Sequence, residues 1–211
     1  MFEYDCMNQL ATVRSLQQRI TEMQPVRLDD RALPTPPELR ALLPGGALRR
    51  GTITTVQGSL ELGLALLAST SASGAWCGAI GIPELGLEAA AGLGIALERL
   101  ILVPDPGSHA LTIAGSLSEV LTAVLLRAGR EMRPAEAGRL AARLRDHGTA
   151  LIVLGTWPGA EGRLSVTGSR WAGLGYGHGM LDVHDLTVQS NDRRGQLRHR
   201  VRFSGGRLQA C

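Results

Sequence analysis

Lysine is absent from this chain: all 22 basic residues among its 211 are arginine. An ordinary phosphate-binding loop needs a lysine on the β/γ-phosphates, and no position here can supply one. Aromatic residues make up only 3%, a poor supply for a platform on which single-stranded bases stack. The three cysteines (Cys6, Cys77, Cys211) are far apart and form no C-x-x-C pair. That usage points to a reduced, cytoplasmic setting. No apolar run reads as a membrane span, the 59–68 segment being short and bounded by Ser and Gly. The first residues lack the basic-then-apolar plan of a signal peptide. Five histidines show no metal-ligand spacing with cysteines or paired carboxylates, so no metal and no cofactor are expected. Gly-x-Ser-x-Gly is missing, and no motif places a base beside a serine or cysteine.

What is present centres on residues 51–67, GTITTVQGSLELGLALL. A β-rich run meets Gly58, and an almost wholly apolar helix follows, with Ser59 as its N-cap and Gly74 as its stop. Gly58 and Gly63 hold the G-x-x-x-x-G frame of a P-loop. The next two positions should be Lys and Ser/Thr; they are Leu64 and Ala65. Glu61 adds a carboxylate at the end of the helix dipole where a phosphate would sit. This is a vestigial nucleotide loop: Gly58, Ser59, Glu61, Gly63, Leu64 and Ala65 keep the frame without its chemistry.

Residues 6–24 read as an amphipathic helix with the stripe Met7, Leu10, Val13, Leu16, Ile20 and Met23. Pro25 ends it, and a linker with Pro34, Pro36 and Pro37 follows. The stripe either packs back on its own domain or forms a partner interface on another subunit. The chain then divides into an arm and linker, 1–36, and a core, 37–211. In that core a short helix and a Pro-Gly-Gly turn lead into a strand at 52–57. Further strands are expected at 75–80, 99–103, 120–126 and 149–155, with helices at 59–74, near 85–92, near 108–118 and from Pro134 to Gly148. This alternation argues a mostly parallel sheet flanked by helices on both faces. From 163 onward RLSVTGSRW, LDVHDLTVQS and LRHRVRF alternate as strands of an antiparallel extension. The GLGYGHG tract at 173–179 fits a connection between strands better than a nucleotide loop.

The run LRALLPGGALRRGTITTVQG resembles the lead-in to the core of RecA-family recombinases, where L-D-x-x-L-G/P-G-G-L-x-x-G precedes the Walker A strand. The likeness spans about residues 37–204 and implies an α/β, RecA-like fold with an N-terminal helical arm. Size, order and the lost Walker lysine resemble the ImuA group, especially its ImuA-prime type. That resemblance implies a non-catalytic adaptor of a damage-induced mutasome. Its partners would be an ImuB-like Y-family protein, an error-prone replicative-type polymerase, and RecA or DNA. A SulA-like division inhibitor, shorter and without the arm, is the second reading.

An ATPase with a non-standard P-loop is the third, with Arg127 or Arg50 as the cation. Leu126 and Arg127 stand where active members carry the Walker B Asp, and Glu84 lies near the place of the RecA catalytic glutamate. Trp157, after the apolar strand at 149–155, either stacks a base or partner or folds back over the strand ends. The C-terminal 21 residues hold six arginines against Asp192 alone. Arg193, Arg194, Arg198, Arg200 and Arg202 are therefore candidates for DNA or an acidic partner, the bland alternative being a solvated edge strand.

Overall fold

One nine-stranded sheet runs through the described residues. The computed structural model describes residues 31–127, 133–174, 179–192 and 195–209. The predicted arm, with Met7, Leu10, Val13, Leu16, Ile20 and Met23, lies outside the described residues, as do Arg193 and Arg194.

The first six strands are parallel: β1 Ile53–Gln57, β2 Cys77–Ile80, β3 Leu100–Val103, β4 Ala123–Leu126, β5 Ala150–Leu154 and β6 Gly162–Leu174. Parallel strands need crossovers. The helices are α1 Pro37–Arg40, α2 Leu60–Ala72, α3 Leu87–Gly92, α4 Ala110–Leu117 and α5 Pro134–His147. Helices α2 to α5 supply the crossovers from β1 to β5, α1 precedes β1, and β5 reaches β6 through the loop 155–161. Strand β6 then opens an antiparallel meander with β7 Gly179–Asp192, β8 Gly195–Ser204 and β9 Arg207–Gln209. The nine strands lie side by side in the order β3-β2-β4-β5-β1-β6-β7-β8-β9. The α/β, RecA-like architecture with its antiparallel extension is thus as the sequence predicts.

Two cores sandwich the sheet. One holds the apolar helix α2, whose Leu62, Leu66 and Leu67 are fully buried, together with Leu186, Val188, Val201 and Phe203 from the extension. The other lies under α4 and α5, where Ala137, Leu140 and Leu144 face Leu151 and Val153. Strand β5 is buried on both faces, which is why its sequence shows no alternation. Each buried leucine contributes roughly 1.5–3 kcal/mol, and the apolar residues of the extension add to the core that holds α2.

The lead-in is anchored rather than loose. Leu33 is buried, its N–H donates to the Leu48 carbonyl at 2.7 Å, and Arg50 N–H donates to the Arg31 carbonyl at 2.7 Å. The core's compact unit therefore begins at Arg31, inside the stretch assigned to the linker. Strands β2 and β4 start later than their apolar runs suggest: Ala75–Trp76 lie outside β2, and Val120 still belongs to the turn that follows α4. Val120 is exposed there.

Candidate functional site

The β1–α2 junction gathers the vestigial loop. Gly58 takes φ +87°, and a Cβ there would lie 3.2 Å from Val166 Cβ on β6, so only glycine turns the chain at this point. Ser59 caps the helix directly, its Oγ accepting the Leu62 N–H at 3.0 Å. Helix α2 therefore begins at Leu60. In a working P-loop the residues between the two glycines form an open nest of N–H groups. Here Leu60, Glu61 and Leu62 are already helical. Gly63 lets the helix approach the sheet, since a Cβ would sit 2.9 Å from Leu154 Cδ2 and 3.1 Å from Leu125 Cδ1. Leu64 and Ala65 are buried.

Glu61, in the first turn of α2, sends its carboxylate to the extension. His184 Nδ1 on β7 lies 2.6 Å from Glu61 Oε2, and His184 Nε2 lies 2.9 Å from Ser169 Oγ on β6. The imidazole is 8% exposed and stacks on Trp171, with ring centroids 3.9 Å apart and planes 9° from parallel. The ring thus joins the Glu61 carboxylate through Nδ1 to the Ser169 hydroxyl through Nε2. The connectivity is that of a hydroxyl–imidazole–carboxylate relay, assembled from residues that share no motif. Its effect is to fasten the N-terminus of α2 to β6 and β7, with a carboxylate of the chain itself at the positive end of the helix dipole.

The coupling is measurable. Glu61→Ala and His184→Ala are each expected to cost about 2 kcal/mol, and the double variant less than their sum, with a coupling of roughly 1–3 kcal/mol in urea unfolding. Additive losses would mean that the pair does not hold the junction.

The remaining predicted residues fall elsewhere. Glu84 and Arg127 form an ion pair with each other. The Glu84 backbone N–H and then the Arg127 guanidinium hold the carboxyl below its ordinary range. Arg127 also lines an open cleft with Gly81, Pro83, Asp105 and Gly107 at the C-terminal strand ends. The lone-glutamate base and the substitute cation are thus partners of one another. Arg50 precedes β1 and Gly58 follows it, so about 16 Å of strand separates them; Arg50 cannot replace a P-loop lysine. Trp157 is 4% exposed in the core with Val153 and Ala160, folded back over the strand ends rather than offered for stacking. Burial pushes the Cys77 thiol up to about 11, against a lowering hydrogen bond with Ser71, which leaves it inert as a nucleophile. Among the described residues, no three His, Cys, Asp or Glu side chains could hold a metal. No described helix is long and apolar enough to cross a membrane.

Arg198, Arg200 and Arg202 lie on β8 with exposed side chains. Arg202 makes a two-pronged contact with Asp185, Nε to Oδ1 at 2.6 Å and Nη2 to Oδ2 at 3.0 Å. Asp185 is held below its ordinary pKa first by Arg202, with Arg170 and Arg200 adding to the field. The sequence pattern missed His184, Ser169, Arg163 and Arg170. For His184 there was a signal: it shares the inward phase of β7 with Leu186 and Val188, where an imidazole needs a partner.

Comparison with known proteins agrees with this architecture. The crystal structure of the RadB recombinase superposes with a TM-score of 0.57 at 17% identity, over 82% of this chain and 96% of that one. The uncharacterized protein Rv3395c of Mycobacterium tuberculosis (strain ATCC 25618 / H37Rv) is 36% identical over 128 residues, 59% of this chain. That match spans 63% of the relative's length. The model of the MT3502 N-terminal domain matches residues 41–159, from the Pro-Gly-Gly turn through the buried Trp157. With more than half its length so matched, the chain belongs to the MT3502 N-terminal domain family.

Proposed function

We propose that this protein is a non-catalytic, RecA-like adaptor of a damage-induced translesion-synthesis complex in the cytoplasm. It joins an ImuB-like Y-family protein to an error-prone replicative-type polymerase, with RecA as a further partner. The observation that carries the reading is the refilled phosphate seat: α2 starts at Leu60, Ser59 caps it, and Glu61 is engaged by His184. A fold that has given up nucleotide chemistry keeps its complementary faces for fixed assembly. The arm at 7–23 is assigned to one of those interfaces.

Titration of the full chain with labelled ATP and Mg²⁺ is expected to give no binding at millimolar nucleotide. Micromolar affinity would overturn the non-catalytic part. Affinity capture from damaged cells is expected to retain the ImuB-like protein and the polymerase. Capture of a tubulin-like division protein in their place would reject the adaptor role.

A further inference from the structure

We propose that the open face of β6, β7 and β8 binds the phosphodiester backbone of nucleic acid without reading its sequence. This goes beyond the adaptor reading and does not depend on it. The pairing register lays out five cross-strand rows on that face: Ala172–Val183–Ser204 at one end is uncharged, and beyond it come Arg170–Asp185–Arg202, Gly168–Thr187–Arg200, Ser165–Gln189–Arg198 and Arg163–Asn191–Gln196. Each of these last four rows carries arginine, and Asp185 is the one acid among them.

Arg163 and Arg170 are seven positions apart and would face opposite sides of a regular strand. The register shift between Val166 and Gly168 admits Thr167 as an extra residue and brings both arginines to the same side. Both are exposed. The opposite face, carrying Leu164, Leu186, Val188, Val201 and Phe203, is the one packed on the core.

Successive arginines along β8 are about 6.8 Å apart and the strands about 4.8 Å, so the face is a cationic strip about 20 Å long. Guanidinium groups engage phosphate oxygens bidentately, and Thr187 and Gln189 offer neutral donors between them. A protein partner would need apolar anchors at the centre of its interface. None of the twelve positions in the four arginine-bearing rows bears a large apolar side chain. The charge and the missing anchors together favour a polyanionic backbone over an acidic protein surface.

The test is fluorescence anisotropy of the full chain with a labelled DNA single strand and with the same sequence as a duplex, each over a salt series. Arg163→Gln/Arg170→Gln/Arg198→Gln is expected to weaken binding about 10- to 100-fold at low salt. It should also reduce the slope of log affinity against log salt by about 2–3. The matching triple substitution by lysine should keep the slope. As a gain-of-charge variant, Thr187→Arg/Gln189→Arg should raise both affinity and slope. Salt-independent or absent binding by the native chain overturns the proposal. So does an unchanged slope in the glutamine variant, or no gain in the Thr187/Gln189 variant. Equal competition by polyglutamate would assign the face to an acidic protein instead. Retained capture of the polymerase partners by the glutamine variant, with DNA affinity lost, separates this result from the adaptor reading.

Discussion

Leu64→Lys, which restores the residue a working phosphate loop carries at this place, is expected to destabilise the protein by about 4 kcal/mol and to create no affinity for ATP. Leu64 is 4% exposed and belongs to the core beneath α2. Its burial is worth roughly 2 kcal/mol, and an ammonium in its place must be desolvated. The introduced lysine can escape the desolvation cost only by losing its proton, and each unit of lowered pKa costs about 1.4 kcal/mol at neutral pH. A lysine whose folded pKa is depressed binds fewer protons in the native state than in the unfolded one. Stability of the variant must therefore rise with pH until the unfolded pKa near 10 is passed. Urea unfolding at pH 7 and pH 10 reads this directly, with Leu64→Met, expected to cost under about 1.5 kcal/mol, as the volume control. A stable variant that bound Mg·ATP would mean the seat is still open and that the lost lysine was its sole defect.

This prediction depends on geometry that the linear sequence carries only in part. The alternation of strand and helix, the capping Ser59, the stop at Gly148 and the fully apolar β5 are local features, set by spacing and turn chemistry within a few residues. They were legible for that reason. So was the missing lysine, which is a matter of composition. Contacts between distant positions were not. Glu61 and His184 meet across 123 positions, and only the packing of α2 against β7 brings them together. The Glu84–Arg127 pair depends on β2 and β4 being neighbours, so two residues read as separate candidates turn out to satisfy one another. Arg163 and Arg170 were invisible as a pair because a one-residue bulge reverses the phase that alternation assigns. Trp157 could be read either way from sequence. Its burial was decided by the room left between α5 and the strand ends, which no local pattern encodes.

Phe203→Ala is expected to cost about 3–5 kcal/mol in a single cooperative transition. Phe203 is 1% exposed on β8, in the same core as Leu62 and Leu66 of α2, and its ring lies 6.4 Å from that of His184. Removing it leaves a cavity that the neighbouring Val201, Leu186 and Val188 are too rigidly held in the sheet to fill. Trp171→Ala should cost less, about 1 kcal/mol, because that indole is half exposed and loses mainly its stacking on His184. The contrast discriminates between two states of the extension. If β6–β9 were an appendage folding on its own, the Phe203 variant would melt in two steps, and amide protons of β1 and β5 would keep their protection. If the extension and α2 share one core, protection falls across the whole sheet together. The second outcome follows from β6 being hydrogen-bonded to β1 on one side and β7 on the other. It also gives the arginine face a fixed register, since that face is the outer surface of strands whose inner surface is the core.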